Sequence, residues 1–148
     1  MNKRFLDMAI DESEKSVRMG SSPFGAIIVR DGIVVARAHN TVVSKSDPTA
    51  HAEINAIRSA CKKMGTFDLS GCDLYSSCEP CPMCSAAITW ANISHVYYAA
   101  NRCDADKIGF RDKRMFDNKC RVRMQHIENT CAMDIMEKWH KLKSRKKY

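Results

Sequence analysis

Two short segments constrain this 148-residue chain more than anything else in it. The first, TAHAEINAIR, carries His51 and Glu53. The second, SSCEPCPMCSAAITW at 76–90, sets Cys78, Cys81 and Cys84 within seven positions. Each segment opens a helical pattern. Ile54, Ile57, Cys61 and Met64 step by three, four and three, one face of a helix from about 51 to 64 that Gly65 ends. A second helix is expected to begin near Pro80, its first turn tolerating Pro80 and Pro82 because those backbone N–H groups have no intrahelical partner. Cys81 and Cys84, three apart, then share one face. They also sit at a helix N-terminus, where the partial positive charge favours thiolates. A fold that uses these side chains together must bring the starts of two helices to one point.

The remaining pattern supplies a sheet to hold those helices. Residues 3–19 read as a helix, with Phe5, Met8, Ala9 and Val17 near helical spacing and Gly20 as the stop. FGAIIVRDGIVVARAHN places two β-branched runs around Asp31-Gly32, the dipeptide of a tight hairpin, which predicts antiparallel strands at 24–30 and 33–39. Beyond the turn-rich SKSDPT, strands are expected at 72–76 and 95–100, then a last strand at 121–127 and a last helix at 131–143; 104–117 fit neither period. The order predicts an α/β fold, a three-layer α/β/α sandwich around a mixed five-stranded sheet. No repeat or linker divides the chain, so residues 1–148 are read as a single domain.

No stretch approaches the ~20 apolar residues of a membrane span, and the N-terminus leads into an amphipathic pattern rather than a signal peptide. The expected location is therefore the cytoplasm, with the nucleus as the alternative. There, eight cysteines are better explained as buried, metal-bound or reactive than as a disulfide framework. The net charge of +7 admits a nucleic-acid partner. But Lys138, Lys141, Lys143, Arg145, Lys146 and Lys147 crowd the last eleven residues, as in a solvated helix end.

Two thiolates and an imidazole select zinc. Ligation by His51, Cys81 and Cys84 fills three of four tetrahedral positions and leaves one for water, as a catalytic zinc requires. Glu53, two residues beyond His51, points another way around its helix and belongs beside the metal. Cys78 is the competing fourth ligand, which would make a closed structural site of one histidine and three cysteines. Against it, Glu79-Pro80 redirects the chain before the helix, and Glu53 would have no role. His-x-Glu followed by Pro-Cys-x-x-Cys is the pattern of zinc-dependent base deaminases. Here it reads His51-Ala52-Glu53 and Pro80-Cys81-Pro82-Met83-Cys84.

With these residues, and with PFGAIIVRDG, DPTAHAEINAIR, SSCEPCPMC, YYAA, Gly109-Phe110 and the terminal Lys-Lys-Tyr, the chain resembles the cytidine deaminase-like superfamily and, within it, the short bacterial guanine deaminases. That resemblance implies one Zn2+ per chain on His51, Cys81 and Cys84, with Glu53 shuttling protons as guanine is hydrolysed to xanthine and ammonia. It also implies a purine pocket lined by Phe24, Asn40 and Trp90. Asp112 would contact the guanine and help move its proton; where the family carries an acidic pair after Gly-Phe, this chain has Arg111-Asp112. The terminal Tyr148 would close a partner subunit's site in a homodimer that exchanges the C-terminal helix and tail, about 131–148. Aromatic faces suit a planar purine, and an asparagine amide offers both donor and acceptor to its edge. The alternatives are a tRNA adenosine deaminase with the same zinc pattern, a deaminase of guanosine or cytosine, and a zinc-stabilised nucleic-acid-binding module without activity.

Overall fold

The structure is a computed structural model that describes residues 2–111, 115–117, 125 and 132–144. Helix α1 (Lys3–Arg18) starts at Asn2, whose side chain accepts from the Arg4 N–H, and buries Phe5, Ala9, Glu12 and Ser16 along one face. Strands β1 (Gly25–Arg30) and β2 (Ile33–His39) form the expected hairpin. Its turn residues Asp31 and Gly32 have φ of 51° and 74°, the mirror-image turn whose twist matches paired strands. Then come α2 (Val42–Lys45), α3 (Ala52–Met64), β3 (Cys72–Cys78), α4 (Pro82–Trp90), β4 (His95–Ala100), α5 (Arg102–Lys107) and α6 (Ala132–Lys141).

The sheet order is β2-β1-β3-β4, with β1 antiparallel to both β2 and β3, and β3 parallel to β4. The sheet is mixed, as expected, but has four strands among the described residues. The fifth, expected at 121–127, lies outside them except for Gln125, which is in no strand. No helix of the described residues is long and apolar enough to cross a membrane.

Strand alternation makes the layers. Ile27, Val29 and Tyr75 face α1 and pack with Phe5 and Ala9. Ala26, Ile28 and Leu74 face the other way, onto Ala52, Ala56 and Ala60 of α3 and Ile88 of α4. The alanine face lets α3 lie close to the sheet. Because β2 and β3 both run antiparallel to β1, their C-terminal ends point the same way. Helices α3 and α4 therefore both begin at one edge of the sheet, beyond its strand ends, where α/β folds place their sites.

Gly25 marks a close approach of β1 to α1. A Cβ there would meet the Ala9 carbonyl oxygen and the Ser13 nitrogen, and lie 2.7 Å from the Glu12 Cβ. Backbone atoms of a packed helix cannot step aside, so Gly25→Ala should cost about 3 kcal/mol by overpacking. A lowered urea midpoint with an unchanged slope is the expected reading.

Candidate metal centre and active site

His51 and Cys81 occupy equivalent positions. Each is the N-cap of its helix in extended backbone, φ −66° and ψ 159° for His51, φ −65° and ψ 166° for Cys81, and neither side chain caps its own helix. Both side chains are thus available to a shared centre. Helix α4 begins at Pro82, two residues beyond Pro80, near which its start was expected: Cys81 takes the cap, Pro82 the first helical position, and Pro80 stands before both. Cys84 lies in the first turn of α4 and is fully buried.

The three side chains converge. His51 Nδ1 lies 3.7 Å from Cys81 Sγ and 3.6 Å from Cys84 Sγ, and the three donor atoms all lie within 4.8 Å of one another. Zinc bond lengths to nitrogen and sulfur imply a tetrahedral N···S edge of about 3.6 Å. The donor set fits zinc in kind and in spacing. Cys81 is held far below the usual thiol value, at about 4, chiefly because Cys84 donates to its sulfur, with His51 adding to the effect. Cys84, the donor in that pair and buried, is raised. Of the two sulfurs, Cys81 is thus the one whose thiolate form is favoured.

Glu53 is 6% exposed and lies beside the cluster. Its Oε1 accepts from Ser76 Oγ at 3.2 Å, and its Oε2 lies 3.6 Å from Cys84 Sγ. Burial pushes its carboxyl above the ordinary range, as expected of a group that holds and releases a proton. Cys78 is turned elsewhere: its Sγ points to the Asn101 carbonyl at 3.7 Å and is not in the donor group. Cys78→Ser should accordingly keep one zinc per chain in a chelator-release assay. Loss of the metal in that variant would return Cys78 to the coordination sphere.

Asn40 is 2% exposed, and its Oδ1 accepts from Ser21 Oγ at 3.3 Å and from the Val42 N–H at 3.1 Å. Its backbone is fixed too, by donation to the Phe24 carbonyl at 3.0 Å and acceptance from Ser16 Oγ at 3.3 Å. With Oδ1 held by two donors, the orientation of the amide is fixed. Phe24 stacks edge-on with Phe110 at 4.8 Å and lines a cleft of about 440 Å3 with Pro23, Ser77, Cys78 and Ile108. Trp90 is 62% exposed at the last position of α4, six residues and about 9 Å of helix rise beyond Cys84. The structure thus brings His51, Cys81, Cys84 and Glu53 together, sets Asn40 and Phe24 in contact through their backbones, and leaves Trp90 at the far end of its helix. Asp112 and Tyr148 lie outside the described residues.

Other side chains at the site were not foreseen. Ser76 orients Glu53, and Ser77 Oγ accepts from the Gly25 N–H at 3.0 Å. Their only sequence signal is two adjacent serines just before Cys78, near the end of a strand. Glu79 accepts from Arg102 Nη2 at 2.7 Å, Nε at 3.2 Å and backbone N at 3.0 Å. This bidentate pair pins the turn that carries Cys81 against the start of α5.

Residues 1–100 match the family described as the cytidine and deoxycytidylate deaminase zinc-binding region. Over 116 residues the chain is 47% identical to a guanine deaminase of Bacillus subtilis strain 168, covering 78% of this chain and 74% of that protein. Over 96 residues it is 45% identical to a tRNA-specific adenosine deaminase of Aquifex aeolicus strain VF5, covering 65% of this chain and 64% of that one. The X-ray structure of a guanine deaminase from Bacillus subtilis superposes with a TM-score of 0.94 at 39% identity, covering 100% of this chain and 99% of the other.

Proposed function

The chain belongs to the cytidine and deoxycytidylate deaminase family of zinc-binding hydrolases, and from that premise we propose that it hydrolyses guanine to xanthine and ammonia. The observation that carries the guanine reading is the likeness in shape to a guanine deaminase along the whole chain.

In this reading His51, Cys81 and Cys84 hold the zinc. When bound, zinc supplies a nucleophile at neutral pH by lowering the pKa of water from 15.7 to about 7. Glu53 takes a proton from the attacking water and returns it to the substrate, so that the amino group on C2 leaves as ammonia. Ser76 fixes one carboxylate oxygen and leaves the other facing the cluster, which suits a group that moves protons over a short path. Asn40 donates from Nδ2 to the purine edge, since its Oδ1 is already engaged. Phe24 and Trp90 provide aromatic surface, and Asp112 helps move the proton of the guanine.

The active form is a homodimer, with the partner subunit's Tyr148 closing each site. Supporting this, α6 and the residue after it expose Met133, Ile135, Met136, Trp139 and Leu142, each more than 40% exposed. A ten-residue helix is marginal alone in water, and an apolar stripe of this size calls for cover. Exchange of the C-terminal segment between subunits supplies it. The reaction is assigned to the cytoplasm, whose reducing milieu keeps Cys81 and Cys84 as thiols.

A tRNA adenosine deaminase is the second reading, favoured by the 45% identity to one and by the +7 charge. Purified zinc-loaded protein, screened for ammonia release from guanine, guanosine, adenine, cytosine and a tRNA anticodon stem-loop, separates the two. Release from guanine without RNA is the expected result. Release from the stem-loop alone would assign the enzyme to RNA.

A further inference from the structure

The loop from 40 to 50 joins two groups that the proposed reaction needs in register: Asn40 at its start and His51 just past its end. Its flanks close on each other, the Thr41 N–H donating to the Ala50 carbonyl at 3.0 Å. Asn55 sits at that junction. Its Nδ2 donates to the His39 carbonyl at 3.0 Å, to Thr41 Oγ1 at 2.9 Å and to the Ala50 carbonyl at 3.1 Å. Two hydrogens serve three acceptors, so one bond is shared. Its backbone N–H donates to the His51 carbonyl at 2.9 Å, which places it one turn into α3 from the metal-side imidazole. One amide therefore grips the residues on both sides of Asn40 and the residue before His51.

We infer that Asn55 is a positioning residue that fixes the spacing between the Asn40 amide and the His51 imidazole, and so where the purine edge lies relative to the metal. The inference rests on the substrate role proposed for Asn40. Asn55 touches neither substrate nor zinc; it acts through the loop. An alanine leaves the His39 carbonyl and Thr41 Oγ1 without this donor while Ala50 keeps the Thr41 N–H, so the loop loosens more on the Asn40 side than on the His51 side. Substrate placement should suffer before metal binding does.

The test uses Asn55→Ala, Thr41→Val and the double variant in the full-length zinc-loaded protein, with zinc content, kcat and KM measured for each. For Asn55→Ala, zinc should remain at one per chain while kcat/KM falls about ten- to a hundredfold, mostly through KM, because small misplacements of a bound substrate are costly. Thr41→Val should give a smaller fall of the same kind, and the double variant should be no worse than Asn55→Ala, since both remove the same bond. An unchanged kcat/KM in zinc-loaded Asn55→Ala, a fall explained wholly by lost zinc, or additive losses in the double variant would each overturn the inference. If Asn55→Ala does not fold, a wild-type KM in Thr41→Val overturns it. Amide hydrogen exchange across 40–51 gives a readout independent of turnover: it should quicken in Asn55→Ala at the Asn40 end, and unchanged protection there refutes the role. Wild-type protein inert toward guanine would instead defeat the functional reading, and the variants would then be compared on whichever base of the panel it accepts.

Discussion

Glu53→Gln should retain its zinc, melt no lower than the wild type and lose about 10²- to 10⁴-fold in guanine turnover. The substitution keeps the size of the side chain and leaves an amide oxygen to accept from Ser76 Oγ, as Glu53 Oε1 does at 3.2 Å. What it removes is the capacity to take up and return a proton beside the cluster. Burial already drives this carboxyl toward its neutral form, so replacing it with a neutral isostere relieves a desolvation cost. Loss of activity without loss of stability is the mark of a group kept for function rather than for folding. Zinc analysis, thermal melting and steady-state rates on one preparation provide the check. A variant within tenfold of wild-type turnover would strip Glu53 of its role.

Cys84→Ser should lose both zinc and activity, a larger effect because two properties fail together. Cys84 is fully buried and its sulfur lies 3.6 Å from both His51 Nδ1 and Glu53 Oε2. A serine hydroxyl is a hard donor that does not ionise in this range, so it replaces a zinc thiolate poorly. It also shrinks a tightly packed position. Chelation of the wild-type enzyme should reproduce the inactivation and lower the melting temperature, since a ligand bound only by the folded state stabilises it by an amount that grows with the logarithm of its affinity. Restoring zinc should recover the chelated wild type and not the variant. A Cys84→Ser protein with full zinc content would contradict the proposed coordination.

Much of this site was legible because its signals are local. Asp31-Gly32 announced the hairpin, and both residues adopt positive φ. The period of Ile54, Ile57, Cys61 and Met64 announced α3, and the spacing of Cys81 and Cys84 announced a shared face. Other features depend on contacts that no spacing encodes. Helix α2 (Val42–Lys45) overlaps the start of the segment read as turn-rich, although paired β-branched valines disfavour it. Strand β3 runs two residues past its expected end because Ser77 and Cys78 continue the extended path toward α4. Asn55 carries no signal of its own in the helical pattern; its three acceptors come from two flanks of a loop 5 to 16 residues away. Trp90, which no spacing ties to the cysteines, is exposed at the last position of α4.

Both helices that meet at the centre start on a residue whose side chain is withheld from ordinary capping, His51 for α3 and Cys81 for α4. A metal held by both residues would tie those two starts together and act as a keystone as well as a reagent. When the supply of zinc falls short, the first turns of two core helices would then lose their tether together, exposing chain to cellular proteases that act on opened states. Scarcity would then thin the pool of enzyme molecules as well as silence those that remain, so that the amount of protein follows the availability of its cofactor.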